Sequence, residues 1–293
     1  MPPAMTTLVL DALERIVHRA ELAPYLPPVD FTQAIFGWAR GGEAPRSLFD
    51  AILYYYLGLH LLDDVHDGDL EPGIDEHLAT TTALACITAM PAVALRDRSE
   101  RSSAGSAIAV EFQLQTLPCT AGQFIDVDRR GPVVLSAAHR VLELRNGAMG
   151  RLLGRVAALA AGARPDEVDA AGSLVANLYI ASQIVDDVDE LLNRAVSSDA
   201  RNLSKTLPLC YALEAAPEGR EQVLRLCREG RAQGHRRLRE LLGELGAFDY
   251  GLEQARAYLE RGRDDLRLLE SRWGRATLYR DTVACIMPEA VYA

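Results

Sequence analysis

Apolar residues recur at spacings of three and four along almost the whole chain, and this periodicity constrains the fold more than any other feature. The spacing is typical of amphipathic helices. It covers nine stretches, at residues 5–20, 30–40, 46–67, 75–95, 104–118, 133–162, 167–190, 218–245 and 248–272. Strand-like alternation is hard to find, and Pro and Gly cluster between the stretches. The sequence predicts an all-α protein that forms one domain over residues 1–293.

Charge and cysteine content exclude several classes of function. The chain of 293 residues has a formal net charge of -10, which disfavours nucleic acid and anionic membrane surfaces as partners. Its five cysteines are scattered and form no CxxC pair, so we expect reduced thiols and a cytoplasmic location. The N-terminus lacks the pattern of a signal peptide. No transmembrane segment is predicted, because no apolar run approaches the ~18 residues that one needs.

A first acidic cluster ends the apolar stretch 46–67. Asp63, Asp64 and Asp67 directly follow the segment ILYYYLGLHLL, and Gly68 suits the end of a helix. Asp63 and Asp67 are four residues apart, so they share one face of that helix. Carboxylates at this spacing repel each other, which makes them unfavourable without a counter-charge.

A second acidic cluster repeats the arrangement. Asp186, Asp187 and Glu190 follow the apolar segment LYIASQIV. Carboxylate oxygens without clustered His or Cys select Mg²⁺, which completes its coordination with water and substrate phosphate. A di-iron site would need Glu-x-x-His pairs, and none occurs at these clusters. The two clusters therefore predict a diphosphate held between two helices by Mg²⁺.

Five segments in order resemble the motifs of the trans-isoprenyl diphosphate synthases, the polyprenyl synthetase superfamily. The two acidic clusters resemble its aspartate-rich motifs, DDxxD and QIxDDxxD. Three further segments resemble its GQxxDxD, KTGAL and DLRNGKxTLP motifs, with Arg145 and Asn146 replacing Lys and Thr in the second of these. In chain order the segments are DDVHD at 63–67, GQFIDVD at 122–128, RNGAMGRLLGRVAALAAGA at 145–163, QIVDDVDE at 183–190 and DARNLSKTLP at 199–208.

The resemblance implies a class I isoprenoid synthase, a bundle of helices around a deep central cavity. Three Mg²⁺ ions would bind an allylic diphosphate at the cavity mouth, and the protein would form a homodimer. The direct metal ligands implied are Asp63, Asp67 and Asp186. The resemblance further implies that Asp64, Asp187 and Glu190 either bind a metal ion or orient a water molecule bound to it. Of these three, we count Glu190 among the metal ligands. Arg145 and Lys205 would clamp the phosphate oxygens, although Ser204 holds the place of the family's lysine.

A further set of residues is expected to contact the substrate: Tyr55, Gly58, Leu59, Phe112, Gln123, Asn146 and Gln183. Gly58 lies five residues before Asp63, where the family sets chain length. A small residue there would leave the cavity open, with Tyr55 as its floor, and would accommodate a C15–C20 prenyl chain. The alternative is that Gly58 serves a close contact between helices.

Two departures from the family pattern concern the second substrate, isopentenyl diphosphate. Glu71 and Pro72 replace both arginines of the DLRRG motif, and the segment 41–47 keeps only Arg46 of the GGKRxRP motif. Acid at a diphosphate site weakens binding. The sequence therefore predicts a non-elongating enzyme that transfers a prenyl group to an unknown acceptor. In this respect it resembles the branch of the family that contains the farnesyltransferase of moenomycin assembly.

Three alternatives remain open. The first is a class I terpene cyclase, which usually lines its pocket with aromatic side chains. Aromatic residues make up 6% of the chain, with candidates at Tyr54, Tyr55, Tyr56, Phe112, Phe124 and Tyr179. The second is a chain-elongating synthase. The third is a non-catalytic partner subunit or prenyl-diphosphate binder, which would have no need of both aspartate motifs.

Overall fold

The computed structural model describes residues 3–11, 27–68, 70, 72–99, 103–128, 131–217, 219–229 and 232–274. All regular secondary structure in these ranges is helical, which confirms the all-α prediction. Asp69, Glu71 and Cys285 lie outside the described residues, so the departure at Glu71 stays a matter of sequence. The extent of the domain over residues 1–293 likewise stays a prediction.

Among the described helices lies one π-helical segment, at Leu142–Asn146. Helix α1 covers residues 3–11. The remaining helices are α2 Pro27–Arg40, α3 Arg46–Asp67, α4 Glu76–Thr88, α5 Met90–Ser99, α6 Ser103–Val127, α7 Leu135–Val141, α8 Gly147–Ala161, α9 Pro165–Asn193, α10 Ser198–Asn202, α11 Leu207–Ala215, α12 Arg220–Glu229, α13 Ala232–Glu244, α14 Ala247–Arg261 and α15 Arg263–Trp273.

Helix α9 forms the centre of the bundle and packs against α8, α14 and α15. Pro165 begins it, and Asp166 and Glu167 place negative charge at the positive end of its dipole. Among the described helices it is the one long and apolar enough to cross a membrane, and 67% of that apolar window is buried inside the fold. The apolar composition of α9 is explained by its packing against neighbouring helices on several sides.

Helix α3 covers the predicted stretch 46–67, and its buried apolar residues face α4 and the main core. It ends at Gly68, which adopts a left-handed conformation with φ 72 and donates its N–H to the carbonyl oxygens of Asp64 and Val65. The first acidic cluster therefore occupies the last turn of α3.

Two neighbours of α9 differ from the sequence prediction. Helix α6 continues nine residues past the predicted end at Pro118, because Phe112 and Cys119 keep packing into the core on either side of it. The predicted helix 133–162 contains the π-helical segment, where each turn holds one extra residue. This segment carries Arg145 and Asn146.

Some predicted boundaries are wrong. The stretches 75–95 and 248–272 each contain two helices, and α10 and α11 are short helices that the periodicity did not reveal. Helices of five and nine residues span too few turns for a three-and-four repeat to stand out. The described cysteines Cys86, Cys119, Cys210 and Cys227 are free and buried, which fits the expected reduced thiols.

Candidate active site

A cleft that is partly open to solvent lies between α3, α6, the π-helical segment, α8 and α9. Apolar side chains cover most of its wall, and polar groups gather near the ends of α3 and α6. The described lining residues are Tyr56, Leu59, His60, Leu62, Asp63, Cys119, Thr120, Gln123, Arg145, Asn146, Met149, Tyr179 and Gln183. Six of the predicted residues therefore share this cleft: Leu59, Asp63, Gln123, Asn146, Gln183 and the predicted clamp Arg145.

Asp63 represents the first acidic cluster in the cleft. Gln123 donates its Nε2–H to Asp63 Oδ1 at 2.7 Å, and Arg145 Nη1 lies 3.7 Å from the same oxygen. Asp64 and Asp67 are half-buried on the same turn of α3. The cluster thus lies beside an amide and a guanidinium that both face the cleft.

Arg145 is the meeting point of several carboxylates. Its Nη1 donates to Gln123 Oε1 at 3.0 Å and to Asp126 Oδ2 at 2.8 Å. Burial disfavours its charged form, but nearby carboxylates outweigh burial and raise the pKa of Arg145; they are Asp63, Asp126, Asp187 and Asp199. One guanidinium therefore faces four carboxyl groups, and the site carries an excess of negative charge.

The second acidic cluster meets this network through two amides. Asn146 donates to Gln183 Oε1 at 3.0 Å, and Gln183 donates to Asp187 Oδ1 at 2.7 Å. Asp187 is 7% exposed. Burial, with the nearby Asp126 and Asp186, raises the pKa of Asp187 to about 7, although Gln183 and Arg145 act in the opposite direction. Asp187 is thus an acid whose charge is incompletely compensated.

The other two members of this cluster differ from Asp187. Asp186 keeps a solvent-exposed edge, while protein atoms around its carboxyl group, together with Asp189, raise its pKa to about 6. Glu190 turns towards the following loop, where its Oε1 accepts hydrogen bonds from the hydroxyls of Ser197 and Ser198 and from the N–H of Asp199. In this structure Glu190 holds the loop in place.

Two acids of the site were not assigned from the sequence. Asp126 bonds to Arg145, and Asp199 is a half-buried acid whose pKa is raised by the surrounding protein atoms and by Asp187, Glu190 and Asp126. Both lie in segments that resemble family motifs, at 122–128 and 199–208. The sequence signal that identified the two acidic clusters, an acidic residue at or just after the end of an apolar helix, could also have identified these two acids.

Lys205 does not lie where the clamp prediction requires. Its ammonium group donates to the backbone carbonyl oxygens of Asp126 at 2.6 Å and Asp128 at 2.8 Å, and the residue is 4% exposed. The predicted direct contact with phosphate is therefore corrected. Ser204 holds the place of the family's lysine, and Lys205 is the next residue. From this position its side chain reaches the end of α6.

Gly58 faces α4 and not the cleft. A Cβ atom at this position would lie 2.7 Å from Cγ1 of Ile87 and 2.8 Å from the carbonyl oxygen of Ala83. The prediction that a small residue here leaves the cavity open is corrected in favour of its alternative, a close contact between helices. Leu59, the next residue, lines the cleft instead.

Tyr55 and Phe112 form an aromatic pair beneath the cleft, with ring centroids 5.4 Å apart. Tyr55 is fully buried; its hydroxyl lies 3.2 Å from Oγ1 of Thr116 and also contacts Cys119, which lines the cleft. Phe112 lines a second cavity, between α4, α5 and α6. Tyr55 thus lies immediately behind the cleft wall, and Phe112 lies farther away.

The donors at the cleft mouth fit a hard divalent cation. They are carboxylate oxygens in excess over positive charge, and burial of Asp187 and partial burial of Asp199 leave that excess poorly solvated. Within the described residues, no three His, Cys, Asp or Glu side chains converge on one point. A cation bound by these acids would therefore take further oxygen ligands from water or substrate, which is usual for Mg²⁺.

Comparison with known proteins identifies the fold and the family. The sequence profile described as Polyprenyl synthetase matches residues 76–245. The chain belongs to the polyprenyl synthetase family. Members of this family are prenyltransferases. The match includes the second acidic cluster, Arg145 and the loop that bears Lys205.

Individual family members resemble the chain to different extents. A geranylfarnesyl diphosphate synthase from Aeropyrum pernix is 32% identical over 133 residues, which are 43% of this chain and 41% of that protein. The aligned part therefore spans less than half of that relative. Its name describes a chain-elongating enzyme, and the non-elongating branch stays a prediction for this chain.

Solved structures share the fold at low sequence identity. A polyprenyl synthetase from Streptomyces coelicolor A3(2) has a TM-score of 0.71 at 17% identity, covering 85% of this chain and 82% of its own. A geranylgeranyl pyrophosphate synthase from Corynebacterium glutamicum, complexed with isoprenyl diphosphate and magnesium, has a TM-score of 0.70 at 17% identity, covering 97% and 98%. These likenesses establish a shared helical bundle.

Proposed function

We propose that the enzyme ionises an allylic prenyl diphosphate of C15–C20 length and transfers the prenyl group to an acceptor other than isopentenyl diphosphate. The observation that carries this proposal is the meeting of Asp63 from α3 and Asp187 from α9 around Arg145, at the polar end of an apolar cleft. Mg²⁺, three ions by family resemblance, would neutralise the diphosphate as it leaves.

The residues of the site have distinct proposed tasks. Asp63, Asp67, Asp186 and Glu190 are the proposed metal ligands, and Glu190 would need to exchange its present loop contacts for that task. Arg145 binds the leaving phosphate oxygens, which stabilises the negative charge that develops as the C–O bond breaks. The apolar wall keeps water from the allylic cation.

The positions of the cationic residues support a non-elongating reaction. Arg145 is the one Lys or Arg among the described lining residues. Arg46 begins α3, 17 residues before Asp63, which corresponds to about 26 Å along the helix. It lies too far away to bind a second diphosphate beside the first. The name of the Aeropyrum relative favours elongation, and we treat elongation as the competing outcome.

One assay separates these outcomes. The protein is incubated with Mg²⁺ and geranyl, farnesyl or geranylgeranyl diphosphate, with and without isopentenyl diphosphate, and released diphosphate and prenyl products are analysed. We expect slow diphosphate release and no lengthened product. Products lengthened by isopentenyl diphosphate would overturn the proposal, and a cyclic hydrocarbon formed without co-substrate would establish the terpene cyclase alternative.

We also propose a homodimer that forms through α6. Val110, Leu114, Leu117 and Phe124 are 49–74% exposed and, with Ala121, follow a four-and-three spacing along one face. This spacing is typical of helices that pair. No exposed residue described on α6 is charged, although the chain carries a net charge of -10, so a second copy can approach this face without repulsion.

Light scattering with size-exclusion chromatography tests the dimer. Leu117→Glu and Leu117→Arg are each expected to be monomeric, and a mixture of the two is expected to dimerise. Gln222→Glu, on the exposed side of α12, is the matched control. A dimer that survives both Leu117 variants would exclude this face.

The buried free thiols support the cytoplasmic location that we propose.

A further inference from the structure

Lys205 joins the end of α6 by both its main chain and its side chain. Its N–H donates to Asp126 Oδ1 at 2.8 Å, and its ammonium group donates to two backbone carbonyl oxygens of the same segment. Helix α6 ends at Val127. Carbonyl groups in the last turn of a helix lack partners within the helix, and a cation there also interacts favourably with the helix dipole.

The same carboxyl group connects this cap to Arg145. Asp126 uses Oδ1 for the Lys205 N–H and Oδ2 for Arg145 Nη1, at 2.8 Å each. Arg145 in turn reaches Gln123 and approaches Asp63. A continuous path of polar contacts therefore runs from Lys205 through Asp126 and Arg145 to the first acidic cluster.

Close backbone packing strengthens this connection. A Cβ atom at Gly122 would lie 2.6 Å from the backbone N of Arg145, so the last turns of α6 rest directly on the π-helical segment. A shift at the end of α6 would therefore change the position of Arg145 as well as its hydrogen bonds.

The loop conformation directs Lys205 towards α6. Leu203 has φ 57, the only positive φ at a non-glycine residue in the described chain, and its N–H bonds to the carbonyl oxygen of Ala200. The N–H of Ser204 then bonds to the carbonyl oxygen of Asp199. This tight turn leaves Ser204 at the position of the family's lysine and places Lys205 at the cap.

We propose that Lys205 is a positioning residue, which acts through Asp126 to hold Arg145 in place and does not itself bind the diphosphate. The proposal rests on the proposed function only for the identity of the ligand. An ammonium group has three N–H donors, and two of them are committed to the backbone carbonyl oxygens of Asp126 and Asp128. One donor remains, so binding of phosphate through more than one N–H would require breaking contacts that cap α6.

A double-mutant cycle tests the indirect role. Binding of inorganic pyrophosphate in the presence of Mg²⁺ is measured by calorimetry for Lys205→Met, Asp126→Asn and the combined variant. Each single change is expected to weaken binding about ten-fold, which is typical of a lost charged hydrogen bond. Lys205→Met keeps the N–H that donates to Asp126 Oδ1 and acts by releasing the end of α6, whereas Asp126→Asn removes the carboxylate that faces Arg145. If the lysine acts only through the position of that carboxylate, the combined variant should bind about as weakly as Asp126→Asn alone.

An additive result would overturn the proposal, since a lysine that contacts phosphate directly would lose its contribution in either background. Lys205→Gln, which retains a side-chain donor, replaces Lys205→Met if circular dichroism shows that the latter is unfolded. Arg201→Met removes an exposed cation from the same loop and is expected to leave pyrophosphate affinity within about two-fold.

A second comparison distinguishes positioning from a general loss of fold. Ser204→Lys, with Lys205 retained, is expected to tighten pyrophosphate binding, because it restores the family's lysine position. In the Lys205→Met background the same change should leave kcat low, because α6 is still uncapped. Full recovery of kcat there would mean that any nearby charge suffices, which contradicts the proposal.

Failure of farnesyl diphosphate turnover in every variant, including wild type, would bear on the proposed function and leave the pyrophosphate cycle intact.

Discussion

Helices α3 and α9 each end in an acidic cluster, yet their carboxyl groups lie in different surroundings. Asp63 on α3 is 31% exposed, accepts a hydrogen bond from Gln123 and lies near Arg145. Asp187 on α9 is buried, and its pKa is raised to about 7. Burial and neighbouring acids raise the pKa of Asp187 although its carboxyl group, like that of Asp63, lies near the guanidinium of Arg145.

The difference indicates how the two clusters divide their work. Gln123 and Arg145 already lie against Asp63 of the α3 cluster. The α9 cluster retains an unfavourable buried charge, which a divalent cation would relieve. We therefore infer that metal binding gains most of its energy at α9, while α3 supplies a prepared surface for the ligand.

Activity is expected to depend on both clusters, and this is the largest predicted effect. Asp63→Asn and Asp187→Asn should each lower the rate of diphosphate release from farnesyl diphosphate by about 10²–10³-fold, because the leaving group loses stabilisation. Steady-state kinetics at saturating Mg²⁺ measure it. Asp189→Asn, an exposed change on α9, is the control. Unchanged activity in either cluster variant would remove that cluster from the reaction.

Mg²⁺ with inorganic pyrophosphate should stabilise the protein by about 2.7 kcal/mol at one hundred times the dissociation constant. Thermal melts with each component alone and with both measure this gain. If α9 is the main metal site, Asp187→Asn should reduce the gain from Mg²⁺ alone more than Asp63→Asn does. The reverse order would contradict our division of work between the helices.

The packing of α3 gives a prediction of intermediate size. Gly58→Ala should lower the free energy of unfolding by about 1–3 kcal/mol, because its Cβ meets Ile87 and the backbone of α4. Preference among C10, C15 and C20 diphosphates should not change. Leu59→Phe, one residue along and facing the cleft, should shift that preference towards shorter chains. An altered preference in Gly58→Ala alone would return Gly58 to the cleft wall.

The last prediction concerns pH. A carboxyl group with a pKa near 7 when folded and about 3.9 when unfolded contributes stability that is complete below pH ~4 and is lost as pH rises past 7. In metal-free protein, Asp187→Asn should therefore be stabilising at pH 8, by about 1.4 kcal/mol for each pKa unit of the shift, and nearly neutral at pH 4. Denaturant titrations at both pH values test it, and a destabilising effect at pH 8 would contradict the buried-charge interpretation.

Several parts of the site could be predicted because the signal is local. The end of α3 at Gly68 and the four-residue spacing of its acids follow from helix geometry and from the residues themselves. The amides Gln123, Asn146 and Gln183 were placed by resemblance, and all three line the cleft. The continuation of α6 past Pro118 was missed, because core packing on both sides of a proline outweighs one lost hydrogen bond.

By itself the sequence determined the helical class and the two acidic clusters, because both depend on residues close together in the chain. Only the tertiary structure decided which helix faces meet. It turned Gly58 to α4, Lys205 to the end of α6 and Glu190 to a loop. It also brought Asp126 to Arg145 across 19 residues. These outcomes depend on the angle and depth at which helices pack, and spacing along one helix does not contain that information.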